Sequence, residues 1–151
     1  NLLFVDFDAM QLGLNSLVVD FDQSMDLVID HFIQQGHQKI GILSGEEVTK
    51  HNLQPIEDPR MLSFKKKLEQ LNLFRPDLVV TAPFSMEAGK AAVSEFIAES
   101  NDLPTALFAS SDALAIGGMQ AIQAAGLRIP EDISVIGFND VSVAKFVFPT
   151  L

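Results

Sequence analysis

The amino-acid sequence predicts an α/β fold, a three-layer sandwich in which a parallel sheet lies between two layers of helices. Short apolar runs rich in β-branched residues alternate with longer amphipathic stretches along the 151 residues. This alternation is typical of parallel strands joined by right-handed helical crossovers. The strand candidates lack a polar face, as expected for strands that helices cover on both sides. With 48% hydrophobic residues, the chain can form one domain with its own core.

The first 43 residues predict three strands and one helix. The strands are the apolar runs at 2–5, 17–19 and 40–43. Between the last two, residues 23–35 place apolar side chains at helical spacing. The inward face of this helix consists of Met25, Val28, Ile29, Phe32 and Ile33. Gly36 follows at the position where a left-handed residue ends a helix.

A polar stretch from 46 to 58 separates the third strand from the next helix. A loop of this length inside a compact domain is more often functional than incidental. Asp58 followed by Pro59 is typical of an N-cap and a first helical residue. The inward residues of this helix are Met61, Phe64, Leu68 and Leu71.

The rest of the chain continues the same alternation. Strands at 78–80, 106–109 and 133–138 are separated by helices at 86–98 and 113–125. Gly126 ends the second of these helices. The Gly117-Gly118 pair inside it indicates close packing against a neighbouring element, because glycine otherwise weakens a helix.

The charge balance argues against a nucleic-acid surface on this chain. Ten basic and 20 acidic residues give a net charge of −10, whereas a DNA-binding surface must neutralise phosphates. The longest basic run, Lys65-Lys66-Lys67, is expected to be the solvated face of a helix. The absence of cysteine excludes disulfides and thiolate metal sites. No apolar run is long enough to span a membrane, and no signal peptide is recognised. The absence of cysteine fits a cytoplasmic protein, which is the location we expect.

Sequence signatures of enzymes are also missing. The chain has no G-x-S-x-G elbow, no Walker loop and no G-x-G-x-x-G after a strand. His31, His37 and His51 do not have the spacing of metal ligands. We therefore expect a binding protein without catalysis, cofactor or metal. The chain does not begin with Met, and we expect Asn1 to be an interior residue of a longer protein.

Chemically useful side chains follow several predicted strands at their carboxyl ends, the edge where open parallel sheets bind ligands. They are Asp6, Asp8, Arg60, Phe84, Asp112, Asn139 and Asp140. Carboxylates, amides and guanidinium groups can each hydrogen-bond to neighbouring hydroxyls, and an aromatic ring can pack on the apolar face of a sugar. The mixture favours a small polyhydroxylated ligand.

Each of these residues also has an ordinary structural interpretation. Asp112 is as well placed to cap the helix at 113–125 as to bind a ligand, and the two serines before it could cap that helix instead. Phe84 could belong to the core, and Asn139 with its neighbour could form a turn. The position of Arg60 indicates a functional role, because a cation in the first turn of a helix interacts unfavourably with the helix macrodipole.

Two stretches carry a more specific pattern. They are QGHQKIGILSG at 35–45 and PTALFASSDALAIGGMQAIQAAGLRIPEDISVIGFNDVSVAKFVFPTL at 104–151. Both resemble the ligand-binding domain of the lactose/galactose repressor (LacI/GalR) family, and the resemblance extends over nearly the whole chain. It implies a two-lobed fold like that of type I periplasmic sugar-binding proteins, of which this chain holds mostly the C-terminal lobe. Residues 1–16 would end the N-terminal lobe and form the hinge crossover, 17–140 the effector-binding lobe, and 141–151 the return crossover.

The resemblance also implies a function and its residues. A sugar effector, with galactosides among the candidates, would contact the chain and allosterically control the binding of operator DNA by a headpiece absent from this chain. The implied effector contacts are Asp6, Arg60, Phe84, Asp112 and Asn139. The implied homodimer would form through the helix at 113–125 and the trio Phe146, Val147 and Phe148, which could equally be buried core. The alternatives are a periplasmic sugar-binding protein of a transporter and an enzyme built on the same kind of sheet.

Overall fold

A computed structural model describes residues 2–6, 8–49, 51 and 53–151. Seven strands and four α-helices are present in this part of the chain. In chain order they are β1 (Leu3–Val5), β2 (Asn15–Leu17), α1 (Phe21–Gln34), β3 (Ile40–Val48), β4 (Pro55–Ile56), α2 (Pro59–Gln70), β5 (Val79–Pro83), α3 (Met86–Glu99), β6 (Ala106–Ala109), α4 (Asp112–Ala124) and β7 (Ser134–Ile136). The α/β class expected from the sequence is confirmed.

The central sheet contains four parallel strands in the order β5-β3-β6-β7. Strand β3 lies in the middle because it pairs with β5 on one edge and with β6 on the other. Strand β4 adds a short antiparallel pairing at the carboxyl end of β3, with Glu47 opposite Ile56. Since the four main strands are parallel, their carboxyl ends meet at one edge of the sheet.

Two apolar clusters lie on opposite faces of the sheet, which confirms the three layers. Helices α1 and α2 cover the face to which Ile42 and Phe108 point. Helices α3 and α4 cover the face of Leu43 and Leu107. Successive strand residues thus enter different clusters, as the period of two in a strand requires.

The helix boundaries agree closely with those expected from the sequence. Asp58 caps α2, with its side chain accepting a hydrogen bond from the backbone N–H of Arg60, and Pro59 is the first helical residue. Gly36 and Gly126 both have positive φ where α1 and α4 end. Gly117 packs so closely that an added Cβ would overlap the backbone oxygen of Met86, which confirms the predicted close helix contact.

The expected strand at 17–19 differs from the one in the structure. The strand comprises Asn15–Leu17 and pairs in parallel with β1, in a two-stranded sheet separate from the central one. Leu17, Val18 and Val19 are exposed among the described residues. Apolar composition alone predicts strand conformation, but it does not specify which sheet a strand joins.

The strand at 40–43 is longer than expected. It continues to Val48, so the residues from 46 onward, expected to be loop, begin as one arm of a short hairpin with β4. Charged residues at the exposed end of a strand can keep backbone hydrogen bonds while their side chains remain in water, which conceals the strand in the sequence. The last strand is correspondingly shorter than expected, Ser134–Ile136 instead of 133–138.

The basic run on α2 faces the acidic side of α1. Lys66 lies 2.5 Å from Asp22, and Lys67 contacts Asp26 and Asp30. The hydrogen bond from Lys66 lowers the pKa of the Asp22 carboxyl. Lys65 and Lys66 are exposed, as predicted for a solvated helix face, whereas Lys67 is half-buried beside its two acidic partners. No helix in the described part of the chain is long and apolar enough to cross a membrane.

Candidate functional site

A cavity of about 560 Å³ lies where the chain leaves β1, β2 and β7 and where α1 and α2 begin. Its lining residues are Asp6, Asp8, Val18, Val19, Phe21, Pro59, Arg60, Phe138 and Asn139. Three of the five predicted effector contacts, namely Asp6, Arg60 and Asn139, therefore meet at one cavity. They come from three different parts of the chain: Arg60 and Asn139 lie at the carboxyl edge of the central sheet, and Asp6 follows β1 of the small separate sheet.

Arg60 is enclosed by aromatic rings. Its guanidinium carbon lies 5.8 Å from the ring centroid of Phe21, 5.3 Å from that of Phe84 and 5.4 Å from that of Phe138. A guanidinium group within about 6 Å of a ring face is attracted by the ring quadrupole. The side chain is only 17% exposed, so this attraction is little weakened by water.

Asp58 fixes one edge of the same guanidinium. Its Oδ1 accepts hydrogen bonds from Nε of Arg60 at 2.6 Å and from the backbone N–H of Arg60 at 3.0 Å. The carboxylate thereby offsets the unfavourable position of a cation in the first turn of α2. Arg60 therefore lines the cavity while the Asp58 carboxylate compensates its positive charge.

Phe84 stands beside Arg60 because of a glycine in the central strand. A Cβ added at Gly45 would overlap the ring of Phe84, so the ring occupies the space that a side chain on β3 would otherwise fill. The ring is 38% exposed and is therefore not a core residue, although Phe84 does not line the 560 Å³ cavity itself. Phe84 belongs to the site because its ring contacts Arg60, which does line the cavity.

Asn139 occupies a strained turn three residues after the end of β7. Its φ is 99°, and that of Asp140 is 53°, both in a region that Asn and Asp adopt more readily than most residues. Asp6 also has positive φ, 58°, where the chain leaves β1. Two of the three predicted residues at the cavity thus lie on backbone that ordinary side chains disfavour.

Asp112 is not among the residues of the main cavity. It is 3% exposed and lines a neighbouring hollow of about 320 Å³, together with Gly137, Asn139 and Asp140. Its Oδ2 accepts a hydrogen bond of 2.7 Å from the backbone N–H of Val141, and its own N–H donates to the carbonyl of Phe138. Asp112 therefore fastens both ends of the turn that carries Asn139.

The N-cap of α4 is a serine and not Asp112. Ser111 is the N-cap of α4, and its hydroxyl accepts from the backbone N–H of Leu114. Asp112 is the first helical residue and has its carboxylate free for the turn. The prediction that Asp112 contacts an effector directly stays a prediction.

Sequence reasoning predicted one of the three rings around Arg60, Phe84, and missed the other two. Phe21 opens α1, and Phe138 follows β7 immediately before Asn139. Phe138 could have been found as the neighbour of a predicted contact, whereas only the fold brings Phe21 to Arg60. The complete arrangement offers guanidinium donors, carboxylate acceptors, an amide and apolar walls, which suits a ligand rich in hydroxyl groups.

Comparison with known families agrees with this geometry. Residues 29–151 match the family described as periplasmic binding protein-like domain. This chain belongs to that family. The curated relatives and solved structures that match the chain are regulators of the LacI/GalR type, and they show that it is a ligand-binding domain of that type. The resemblance stated from the sequence is confirmed.

The relatives of this periplasmic binding protein-like domain are transcriptional regulators. The chain is 35% identical over 150 residues to the HTH-type transcriptional regulator GalR of Streptococcus thermophilus, covering 99% of this chain and 45% of the relative. It is 39% identical over 151 residues to the probable HTH-type transcriptional repressor ExuR of Bacillus subtilis, covering 99% and 44%. The chain thus spans less than half the length of these relatives.

A solved structure supports the same fold for the domain. A sugar-binding transcriptional regulator of the LacI family from Escherichia coli, in complex with phosphate, superposes with a TM-score of 0.76 at 30% sequence identity. The match covers 90% of this chain and 47% of that one. The periplasmic-binding-protein-like fold class is confirmed.

Proposed function

We propose that this chain is the effector-binding part of a sugar-responsive transcriptional repressor. A sugar binds in the 560 Å³ cavity, and a headpiece outside this chain contacts operator DNA. The protein works in the cytoplasm, where the DNA is, and the domain binds its effector without catalysing a reaction. One observation carries the proposal: Arg60, Asp6 and Asn139 line the same cavity, with Phe21 and Phe138 as apolar walls.

The expected binding mode follows from the donors and acceptors at the cavity. The outer amino groups of Arg60 donate to hydroxyl oxygens, whereas the Asp6 carboxylate accepts from hydroxyl groups. The amide of Asn139 can do both. A neutral sugar satisfies all three, because each of its hydroxyls is both a donor and an acceptor. Galactosides are the first candidates.

The direct test is calorimetry on the full-length regulator with D-galactose, lactose and D-ribose. Replacing Arg60 by alanine is expected to weaken the tightest-binding of these sugars by at least ~10-fold, because hydrogen bonds to a charged donor are lost. Arg128→Ala is the matched control, since Arg128 pairs with Asp132 on the surface. If R60A and R128A bind the sugar equally well, or if no sugar binds the wild type, the proposed site is wrong.

The regulatory step requires that the sugar favours one of two arrangements of the protein. A ligand shifts such an equilibrium only by its difference in affinity for the two states. The coupling between effector and DNA is typically ~1–3 kcal/mol. In a DNA-binding assay, the sugar should change the affinity of the wild type for its operator, and R60A should keep the sugar-free affinity but lose the change. A variant that still responds would contradict the role of Arg60.

We propose further that the protein forms a homodimer through the end of α4 and the segment of Phe146, Val147 and Phe148. Phe146 is 78% exposed and Phe148 87% exposed, so neither ring belongs to the core of this chain. Gln123 of α4 donates a hydrogen bond to the carbonyl of Phe148, so the segment adjoins the helix. Adjacent exposed aromatic residues are typical of interaction surfaces.

Light scattering of the full-length protein tests this interface. Phe148→Asp should convert a dimer into a monomer, because a charge is placed in an apolar contact. Leu27→Asp on α1 is the matched control, since Leu27 is also strongly exposed but lies outside the proposed surface. Monomers for both variants, or dimers for both, would argue against this interface.

A further inference from the structure

The carboxylate of Asp58 is more deeply buried than a helix cap requires. Its side chain is 2% exposed, whereas Asp20, which caps α1, is exposed. Helices α3 and α4 are capped by serines, Ser85 and Ser111. A hydroxyl is therefore sufficient to begin a helix in this protein, and the cap of α2 needs another explanation for its buried charge.

Burial of a carboxylate is costly unless its oxygens accept hydrogen bonds, preferably from a cation. Asp58 has such a set of donors. Oδ1 accepts from the backbone N–H and from Nε of Arg60, and Oδ2 lies 3.4 Å from the hydroxyl of Ser44 on β3. Three donors from a helix and a strand thus determine where this carboxylate lies.

The rings around Arg60 cannot determine its orientation. Attraction to a ring face depends mainly on the distance between charge and ring and leaves the guanidinium free to turn in its own plane. The bond from Nε to Asp58 removes this freedom, because it fixes one edge of a rigid, planar group. In the described part of the chain, nothing else hydrogen-bonds to this guanidinium, so both outer amino groups stay available at the cavity.

We infer that Asp58 is a positioning residue for effector binding: it orients Arg60 so that the two outer amino groups face the ligand as a fixed pair. Ser44 supports the carboxylate from the central sheet. A fixed pair of donors selects a ligand with two adjacent acceptor oxygens, such as neighbouring hydroxyls on a sugar ring. This inference rests on the proposed function, since it takes Arg60 as an effector contact.

The test uses Asp58→Ser in the full-length regulator. Serine can still cap α2, as it does for α3 and α4, but it is too short to reach Nε. Asp20→Ser is the matched control, because it makes the same substitution at the cap of α1 without contacting Arg60. Asp58→Asn keeps an acceptor oxygen without the charge and should lie between the wild type and D58S.

The first readout needs no ligand. In crystals of the sugar-free protein, D58S should show the Arg60 guanidinium rotated or in more than one orientation, while D20S should show it unchanged. An Arg60 that keeps its orientation in D58S overturns the inference, whatever the effector is.

The second readout is the affinity for the tightest-binding sugar among D-galactose, lactose and D-ribose. We expect D58S to weaken binding ~10-fold and D20S to leave it unchanged. In the R60A background, D58S should have no further effect, because its role acts entirely through Arg60. An equal loss from D58S in both backgrounds overturns the positioning role, whereas an R60A protein that binds as well as the wild type overturns the proposed site itself.

Discussion

The ring of Phe84 lies against the backbone of Gly45, in the space that a Cβ on this strand residue would occupy. The same ring is one of the three that surround the guanidinium of Arg60. Gly45 of the central sheet therefore leaves the space in which the Phe84 ring lies beside Arg60. This relationship is invisible in the sequence, where 39 positions separate the two residues.

Gly45→Ala is expected to displace the Phe84 ring. The variant should lose ~1–3 kcal/mol of unfolding free energy, as is usual when a methyl group is forced into a filled space. It should also bind sugar more weakly, because Arg60 loses one of its rings. Urea denaturation and calorimetry measure the two effects.

Phe84→Ala provides the control for this prediction. If the ring is the source of the clash, G45A should cost little stability in the F84A background, since the space is then empty. An undiminished loss in the double variant would mean that Gly45 is required for a different reason.

Asp112→Ala should loosen the turn that carries Asn139. The substitution removes the hydrogen bond that the backbone N–H of Val141 donates to a charged acceptor, and such a bond contributes ~1.5–3 kcal/mol. Hydrogen exchange at the Val141 amide should become faster, and sugar affinity should fall. Asp112→Asn retains an acceptor oxygen and should show smaller changes. An unchanged exchange rate in D112A would show that the turn holds its conformation without the carboxylate.

The sequence predicted the helices well and the sheet less well, for a physical reason. Caps and terminal glycines such as Asp58 and Gly126 are local signals, because their partners lie within four residues. Strand pairing is not local, so the sequence could reveal neither that β2 joins β1 nor that β3 continues beyond Leu43.

A similar division applies to the candidate site. The rule that ligands bind at the carboxyl edge of a parallel sheet predicted that Arg60 and Asn139 lie together, and both line one cavity. Asp6 lines the same cavity although it follows β1, which belongs to a separate two-stranded sheet. The rule does not predict which residues contact and support the ones that line the cavity. It therefore missed Phe21, which contacts Arg60, and the role of Asp112 in supporting the turn of Asn139.

The paired glycines of α4 allow a sharp test of helix packing. An added Cβ at Gly117 would overlap the backbone oxygen of Met86 and lie 2.8 Å from the backbone nitrogen of Lys90, neither of which can move easily. At Gly118 the nearest atom would be 3.4 Å away, an ordinary contact. Gly117→Ala should therefore separate α3 from α4 and cost ~3 kcal/mol or more of unfolding free energy.

Gly118→Ala is the matched control for the neighbouring position. It should be neutral or stabilising by up to ~1 kcal/mol, because alanine favours a helix more than glycine does. Thermal or urea unfolding of the two variants measures the difference. Equal stability of G117A and G118A would contradict the close approach of the two helices.

His37 should make stability depend on pH. Its ring is half-buried, with Nδ1 3.0 Å from the hydroxyl of Thr105 and its edge against the ring of Phe32. Burial, and secondly the charge of His31, lower the pKa of His37 below the ordinary value of 6.5. The folded protein therefore binds this proton less readily than the unfolded chain does. The contribution to stability is complete above pH 6.5 and is lost as the pH falls through the folded-state pKa.

Urea denaturation between about pH 5 and pH 8 measures this dependence. The wild type should lose unfolding free energy on acidification more steeply than His37→Gln, which has no group to titrate at this position. His51→Gln is the matched control, because it makes the same substitution at an exposed histidine. A wild type and an H37Q variant with the same pH dependence would show that the folded protein protonates His37 as easily as the unfolded chain does.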